Sequence, residues 1–270
     1  MALSIALGGI ALHAGVPSAV LFAVHDAPVV FEQNGQAMPL DQWVVARADA
    51  GVCIRSPDGT AAIDLVEHVL AAVGGLGIAR GLRIVVDGPE PPLVDGGAAA
   101  FVNAIGRLRT TLVRERTCRV TKRARVQIDA SIYEVEPSDR VSVEVAIEFD
   151  HPLVSVQRAA WDGSAAAFER VFAPARTFGF LAQWTALKAV GRALGANTRD
   201  VVVLGPDGTS PSDPPPAPDE CVRHKLLDLI GDMTLMGGVP VGRVRVMRPG
   251  HRRNLEAMRR LIALGAVERG

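Results

Sequence analysis

The chain has 270 residues, 49% hydrophobic and 21% charged, with Lys plus Arg matching Asp plus Glu at 29 each. That apolar content excludes a disordered chain, and the length suits two domains of ordinary size, each with enough side chain to bury a core. The charge balance excludes the electrostatic footprint that nucleic-acid binding or attachment to an anionic membrane requires.

From the N-terminus, MALSIALGGIALHAGVPSAVLFAV has no Asp, Glu, Lys or Arg before Asp26. It lacks the cationic start of a signal peptide, and Gly8, Gly9, His13, Gly15 and Pro17 sit poorly in a membrane span. Two short strands turning at HAGVP use the same residues as punctuation, so a buried hairpin and no integral membrane segment are expected. Strand-like runs follow at Leu82 to Val86 and Val141 to Phe149, and helical patterns at Ile63 to Val73, Ala98 to Leu108, Ala165 to Phe172 and Phe180 to Val190. Strands followed by helices occur once in each half, which predicts an α+β fold of two similar sandwiches. The basic strip RERTCRVTKRAR, Arg114 to Arg125, is expected to connect them as a solvated linker. A boundary near Cys118 divides the chain into residues 1–118 and 119–270. Cys53, Cys118 and Cys221 are odd in number and form no CxxC pair. Neither a disulfide framework nor a thiolate zinc site is therefore expected, and a reducing cytoplasm is. The proline-rich stretch Gly205 to Pro218 reads as an exposed loop entering the next helix.

That helix carries the most informative pattern. In DECVRHKLLDLIGDM the apolar residues Val222, Leu226, Leu227, Ile230 and Met233 mark one face, and His224, Asp228 and Asp232 recur at steps of four on another. A solvated helix face has this pattern. So does a metal site, because His and Asp one turn apart bring an imidazole nitrogen and a carboxylate oxygen to one ion. Glu67 and His68 are adjacent polar residues inside an otherwise apolar helix, a costly placement without a partner. A hydrolytic metal site needs three protein ligands and a separate carboxylate to take a proton from water. His68, His224 and Asp228 can supply the first and Glu67 the second. His251, in a turn set by Pro249 and Gly250, reads alone as a surface residue, and His13, His25 and His151 lie near turn-prone residues as structural or solvent-facing groups.

LVEHVLAAVGGLGI, PLVDGGAAAFV, APARTFGFL, DECVRHKLLDLIGDM and the Gly250–His251 pair occur in this order over nearly the whole chain. Together they resemble the UDP-3-O-acyl-N-acetylglucosamine deacetylase family of lipid A biosynthesis, and GIALHAG resembles that family's first hairpin. The resemblance implies paired sheet-and-helix sandwiches with the active site between them. It implies Zn2+, with Fe2+ an alternative for the same donors, on His68, His224 and Asp228. Glu67 would be the general base, and His251, held by Asp232, the cationic acid. Lys225 and Thr177 would steady the developing oxyanion, and Phe178 and His13 would lie on the substrate side. The substrate would be a UDP-linked acylated amino sugar losing its N-acetyl group as acetate; protein partners are not indicated. Leu65, Gly97, Arg199 and the 205–218 stretch depart from the family pattern around the substrate rather than the metal. They keep open a relative acting on another N-acyl substrate. A non-catalytic binding protein is disfavoured, because it would have no use for so many costly polar groups.

Overall fold

The computed structural model describes residues 3–108 and 112–270, so the first two residues of the apolar N-terminal stretch lie outside the described residues. In the first half, β1 (Ser4–Ile10) and β2 (Pro17–Pro28) form the expected hairpin and pair in register from Ser4 with Ala23 to Ile10 with Pro17. It is not fully buried, however. β1 lies at the sheet edge, and its residues alternate between exposed and half-buried, with Ile10 outward. β3 (Val30–Gln33) and β4 (Gln36–Pro39) complete the sheet with β8 (Ile78–Asp87), in the order β1-β2-β8-β3-β4. A short β9 (Val113–Arg114) adds to β8. β5 (Val44–Arg47), β6 (Cys53–Arg55) and β7 (Ala62–Ile63) make a small separate sheet leading to α1 (Glu67–Leu76). α2 (Ala99–Gly106) follows β8.

Helix α1 begins four residues later than the apolar periodicity from Ile63 predicts. Ile63 pairs with Ile54 in the small sheet, and Leu65 has a left-handed backbone with φ 52° that stops any helix from running through it. Gly77 ends α1 in the left-handed conformation, where its N–H caps the Gly74 and Val73 carbonyls.

The second half begins with β10 (Arg119–Val120). Its main sheet contains β11 (Ala124–Ile128), β12 (Ser131–Glu136), β13 (Val141–Glu148) and β14 (Val156–Trp161). α3 (Ala165–Ala167) runs straight into a π-helical turn, Phe168–Phe172. An arm follows, made of β15 (Thr177–Phe180), α4 (Leu181–Ala189) and β16 (Val201–Leu204), whose strands pair in parallel. Then come α5 (Glu220–Leu235), β17 (Gly242–Met247), α6 (His251–Ala263) and β18 (Val267–Glu268). The sheet order is β11-β12-β17-β13-β14, with β17 antiparallel to β12 and parallel to β13.

The α+β class predicted from the pattern is the observed one. α1 packs lengthwise on α5, and one continuous apolar core runs from Phe22 and Ile84 of the first sheet through Leu70, Leu227 and Ile230 to Val143 and Val246 of the second. The basic strip is held more tightly than a solvated linker. Cys118 is buried, Val120 bonds to Val241, and Arg116 donates to the carbonyls of Gly74 and Gly163 while stacking on Trp161. Among the described residues no helix is long and apolar enough to cross a membrane.

Candidate metal centre

The α5 stripe is not a wet face. His224, Asp228 and Asp232 are 2%, 3% and 1% exposed, because α1 covers them from the first half and α6 from the second. Burial of three ionisable groups on one helix is unfavourable unless each has a partner. α1 supplies the opposite side. Its first residues are Glu67, 2% exposed, and His68, so the helix crossing brings both against α5.

His224 Nδ1 donates to the Ala175 carbonyl at 3.0 Å, which fixes the ring and turns Nε2 toward Asp228. That Nε2 lies 3.2 Å from Asp228 Oδ1, and His68 Nε2 lies 3.7 Å from the same oxygen. Burial, aided by the neighbouring His224, drives the His68 imidazole down to about 3, so it is neutral at physiological pH. Asp228 Oδ1 is fully buried and accepts no hydrogen bond among the described residues. One possible ligand atom from each of His68, His224 and Asp228 lies within 4.8 Å of the other two. A cation at their centre would give the unpartnered Asp228 oxygen a partner, and two imidazoles with one carboxylate suit a divalent ion of the zinc type. The donor set fits a metal.

The other Asp228 oxygen accepts from Lys225 Nζ at 2.7 Å. Burial opposes ionisation of Asp228, but His224 and Lys225 more than offset it and hold the carboxyl well below its ordinary range. Glu67 stands apart from the ligand triplet. Its Oε2 accepts from the Val52 N–H at 2.9 Å, and burial raises its carboxyl to about 7. Across from it, His251 Nε2 is 3.9 Å from Glu67 Oε1, and His251 Nδ1 is 3.0 Å from Asp232 Oδ2. Burial works against the imidazolium, but Asp232 and Asp228 outweigh it and lift His251 to about 10.

Asp232 is itself anchored. Asn254 Nδ2 donates to its Oδ2 at 2.7 Å, and Tyr133 Oη donates to Asn254 Oδ1 at 2.6 Å. Sequence reasoning missed this chain and the Ala175 carbonyl behind His224. The available signal was Asn254 itself, a polar residue three after His251 at a helix position that proves fully buried.

Phe178 sits in the arm with its ring 6.3 Å from that of His224 and 5.5 Å from Lys225 Nζ. Thr177 opens the same strand, half-buried, its N–H bonded to the Gly96 carbonyl. His13 takes a different place. Its Nε2 meets the Ala50 carbonyl at 2.8 Å and its Nδ1 accepts from the Ala193 N–H, so both ring nitrogens tie the first hairpin to neighbouring loops. Gly97 has no room for a side chain, because a methyl there would crowd the Ala173 and Ala175 carbonyls. Leu65 lies where any side chain at Gly51 would go, and a methyl at Gly51 would also stand 3.1 Å from Glu67 Oε1. Arg199 is exposed, and its carbonyl accepts from Arg176.

A buried two-imidazole, one-carboxylate set with an unligated carboxylate and a cationic imidazole beside it defines the class of metal-dependent hydrolases. The family model for LpxC, UDP-3-O-acyl N-acetylglycosamine deacetylase, matches residues 1–263, and the chain belongs to that family. It is similar to the UDP-3-O-acyl-N-acetylglucosamine deacetylases of Brucella melitensis, Brucella ovis and Brucella suis. Each is 34% identical over 267 residues, covering 96% of this chain and 93% of the relative.

Proposed function

We propose that the protein removes the N-acetyl group of UDP-3-O-acyl-N-acetylglucosamine by hydrolysis, releasing acetate, as a cytoplasmic step of lipid A biosynthesis. The observation that carries this reading is the position of Glu67, buried beside the donor triplet yet outside it, with His251 facing it. Family membership and the three free cysteines, which fit a reducing compartment, support it.

His68, His224 and Asp228 would hold Zn2+, although the same donors accept Fe2+. A divalent ion there supplies Lewis-acid polarisation of the amide carbonyl and acidifies adjacent water. Glu67, raised toward neutrality by burial, takes one proton from the attacking water at a carboxylate oxygen, while Val52 N–H fixes the other oxygen. The water oxygen bonds to the acetyl carbon and the C–N bond breaks. His251, kept cationic by Asp232, gives its Nε2 proton to the departing amine. The proton on Glu67 then returns to His251 or to solvent. Lys225 holds Asp228 and, with Thr177, adds positive and hydrogen-bonding character where the carbonyl oxygen gains charge. Phe178 lines the substrate side, and His13 fixes the loops around it.

Acetate release from a panel of UDP-linked N-acyl sugars, with and without the 3-O-acyl chain, tests the reading. Turnover should be fastest on the 3-O-acylated N-acetylglucosamine. The second reading, a different N-acyl substrate, is favoured by Leu65 standing against Gly51 beside Glu67. It prevails if another N-acyl sugar is hydrolysed and the 3-O-acylated one is not.

A further inference from the structure

The two halves of the donor set sit on different helices, so the distance between α1 and α5 decides whether three ligands can reach one ion. At one point backbone meets backbone with no room for a side chain. A methyl group on Gly231 would overlap the Glu67 carbonyl oxygen and stand 2.9 Å from the Glu67 carbonyl carbon and 3.1 Å from its Cα. Gly231 lies one turn beyond Asp228 on α5, and Glu67 opens α1 directly before His68. The obstacle is backbone rather than the flexible end of a side chain, so α1 itself would have to move. Two turns further along α1, Gly74 makes a comparable approach to α5. A methyl there would meet the Thr234 hydroxyl and stand 3.1 Å from Ile230 Cγ2. Those neighbours are side chains, and they lie at the far end of α1 from His68.

We infer that Gly231 is a positioning residue. Its missing side chain sets the α1–α5 separation at the site and so holds Glu67 and His68 within reach of the ion that His224 and Asp228 share. This rests on the reading of His68, His224 and Asp228 as the ligand set. Restoring an ordinary contact around an added methyl requires α1 to retreat by about 1 Å at Glu67. Metal–ligand distances tolerate only about 0.2 Å, so His68 would be the ligand lost. Glu67 would move with it, because the clash falls on its own backbone.

The test compares Gly231→Ala with Gly74→Ala, two variants of the same helix interface. Each is titrated with Zn2+ and with Co2+, whose visible bands report coordination, and thermal unfolding is recorded alongside. Gly231→Ala should bind Zn2+ about 10- to 100-fold more weakly, the range for losing support of a ligand, and should show an altered Co2+ spectrum. Gly74→Ala should lower the unfolding temperature while its Zn2+ affinity and Co2+ bands stay those of the parent. The proposal is overturned if Gly231→Ala keeps parental affinity and spectrum, or if both variants weaken binding alike. It is also overturned if Gly231→Ala fails to fold while Gly74→Ala folds, since the contact would then serve the fold rather than the site. A parent protein that binds neither ion removes the ligand-set reading as well, which separates the two failures.

Discussion

At the scale of single residues, two imidazoles and one carboxylate converge on a single point, and that makes their removal readable. His68→Ala, His224→Ala and Asp228→Ala should each lower metal content in purified protein, because two ligands hold zinc poorly. Elemental analysis decides it, and full metal in all three variants would place the ion elsewhere. Glu67→Gln keeps the shape of the side chain but cannot accept the proton. It should retain metal and lose about 10² to 10⁴ in kcat, the usual contribution of a general base. Asp232→Asn removes the charge that keeps His251 cationic and should lower kcat with metal content unchanged. A steady-state assay run beside metal analysis tests both, and a near-parental rate in either variant would give the proton transfer to another group.

At the scale of elements, the entry to α5 depends on a buried ion pair. Arg176 lies just after Ala175, whose carbonyl orients His224, and it donates from Nε to Glu220 Oε1 at 2.8 Å and from Nη2 to Oε2 at 3.1 Å. Burial works to raise the Glu220 carboxyl, and the bonds from Arg176 and the Ala217 N–H more than reverse that, leaving it below its ordinary value. A carboxyl lowered by folding stabilises the protein above its unfolded value of about 4.5, and this contribution disappears as pH falls through the lower folded value. Glu220→Gln should therefore destabilise the protein at neutral pH by about 3 kcal/mol, since it leaves Arg176 buried without a counter-charge. The difference from the parent should shrink in acid. Denaturant unfolding at pH 7 and near pH 3 measures it, and an equal loss at both values would refute the ionic origin.

The stripe on α5 was legible because the helical period alone puts His224, Asp228 and Asp232 in line, and Glu67–His68 because two polar residues interrupt an apolar run. The start of α1 was misplaced because the left-handed backbone of Leu65 leaves no periodic trace. Tyr133, Val52 and the Ala175 carbonyl were invisible for another reason, and Asn254 showed only as a polar residue on a helix. Each joins the site only where distant segments of the chain meet, and two of them act through backbone groups that every residue possesses.

At the scale of the whole molecule, one apolar core passes through both halves and the proposed ion site lies where α1 of one half meets α5 of the other. Metal binding and folding should therefore be coupled. Chelation should lower the unfolding temperature of the entire chain in a single transition rather than melt one half first. Calorimetry with and without a chelator checks this, and two separate transitions, only one sensitive to metal, would show that the halves are independent.

The division of the donors between α1 and α5 also bears on how the protein is made. His68 leaves the ribosome long before His224 and Asp228 do, and no other group of the first half joins the triplet among the described residues. A growing chain that folds its first sandwich early presents one imidazole and one carboxylate, a weak site from which an ion readily escapes. Firm capture waits until α5 has docked on α1. An ion retained by this protein is thus a record that synthesis reached the second half and that the two halves met.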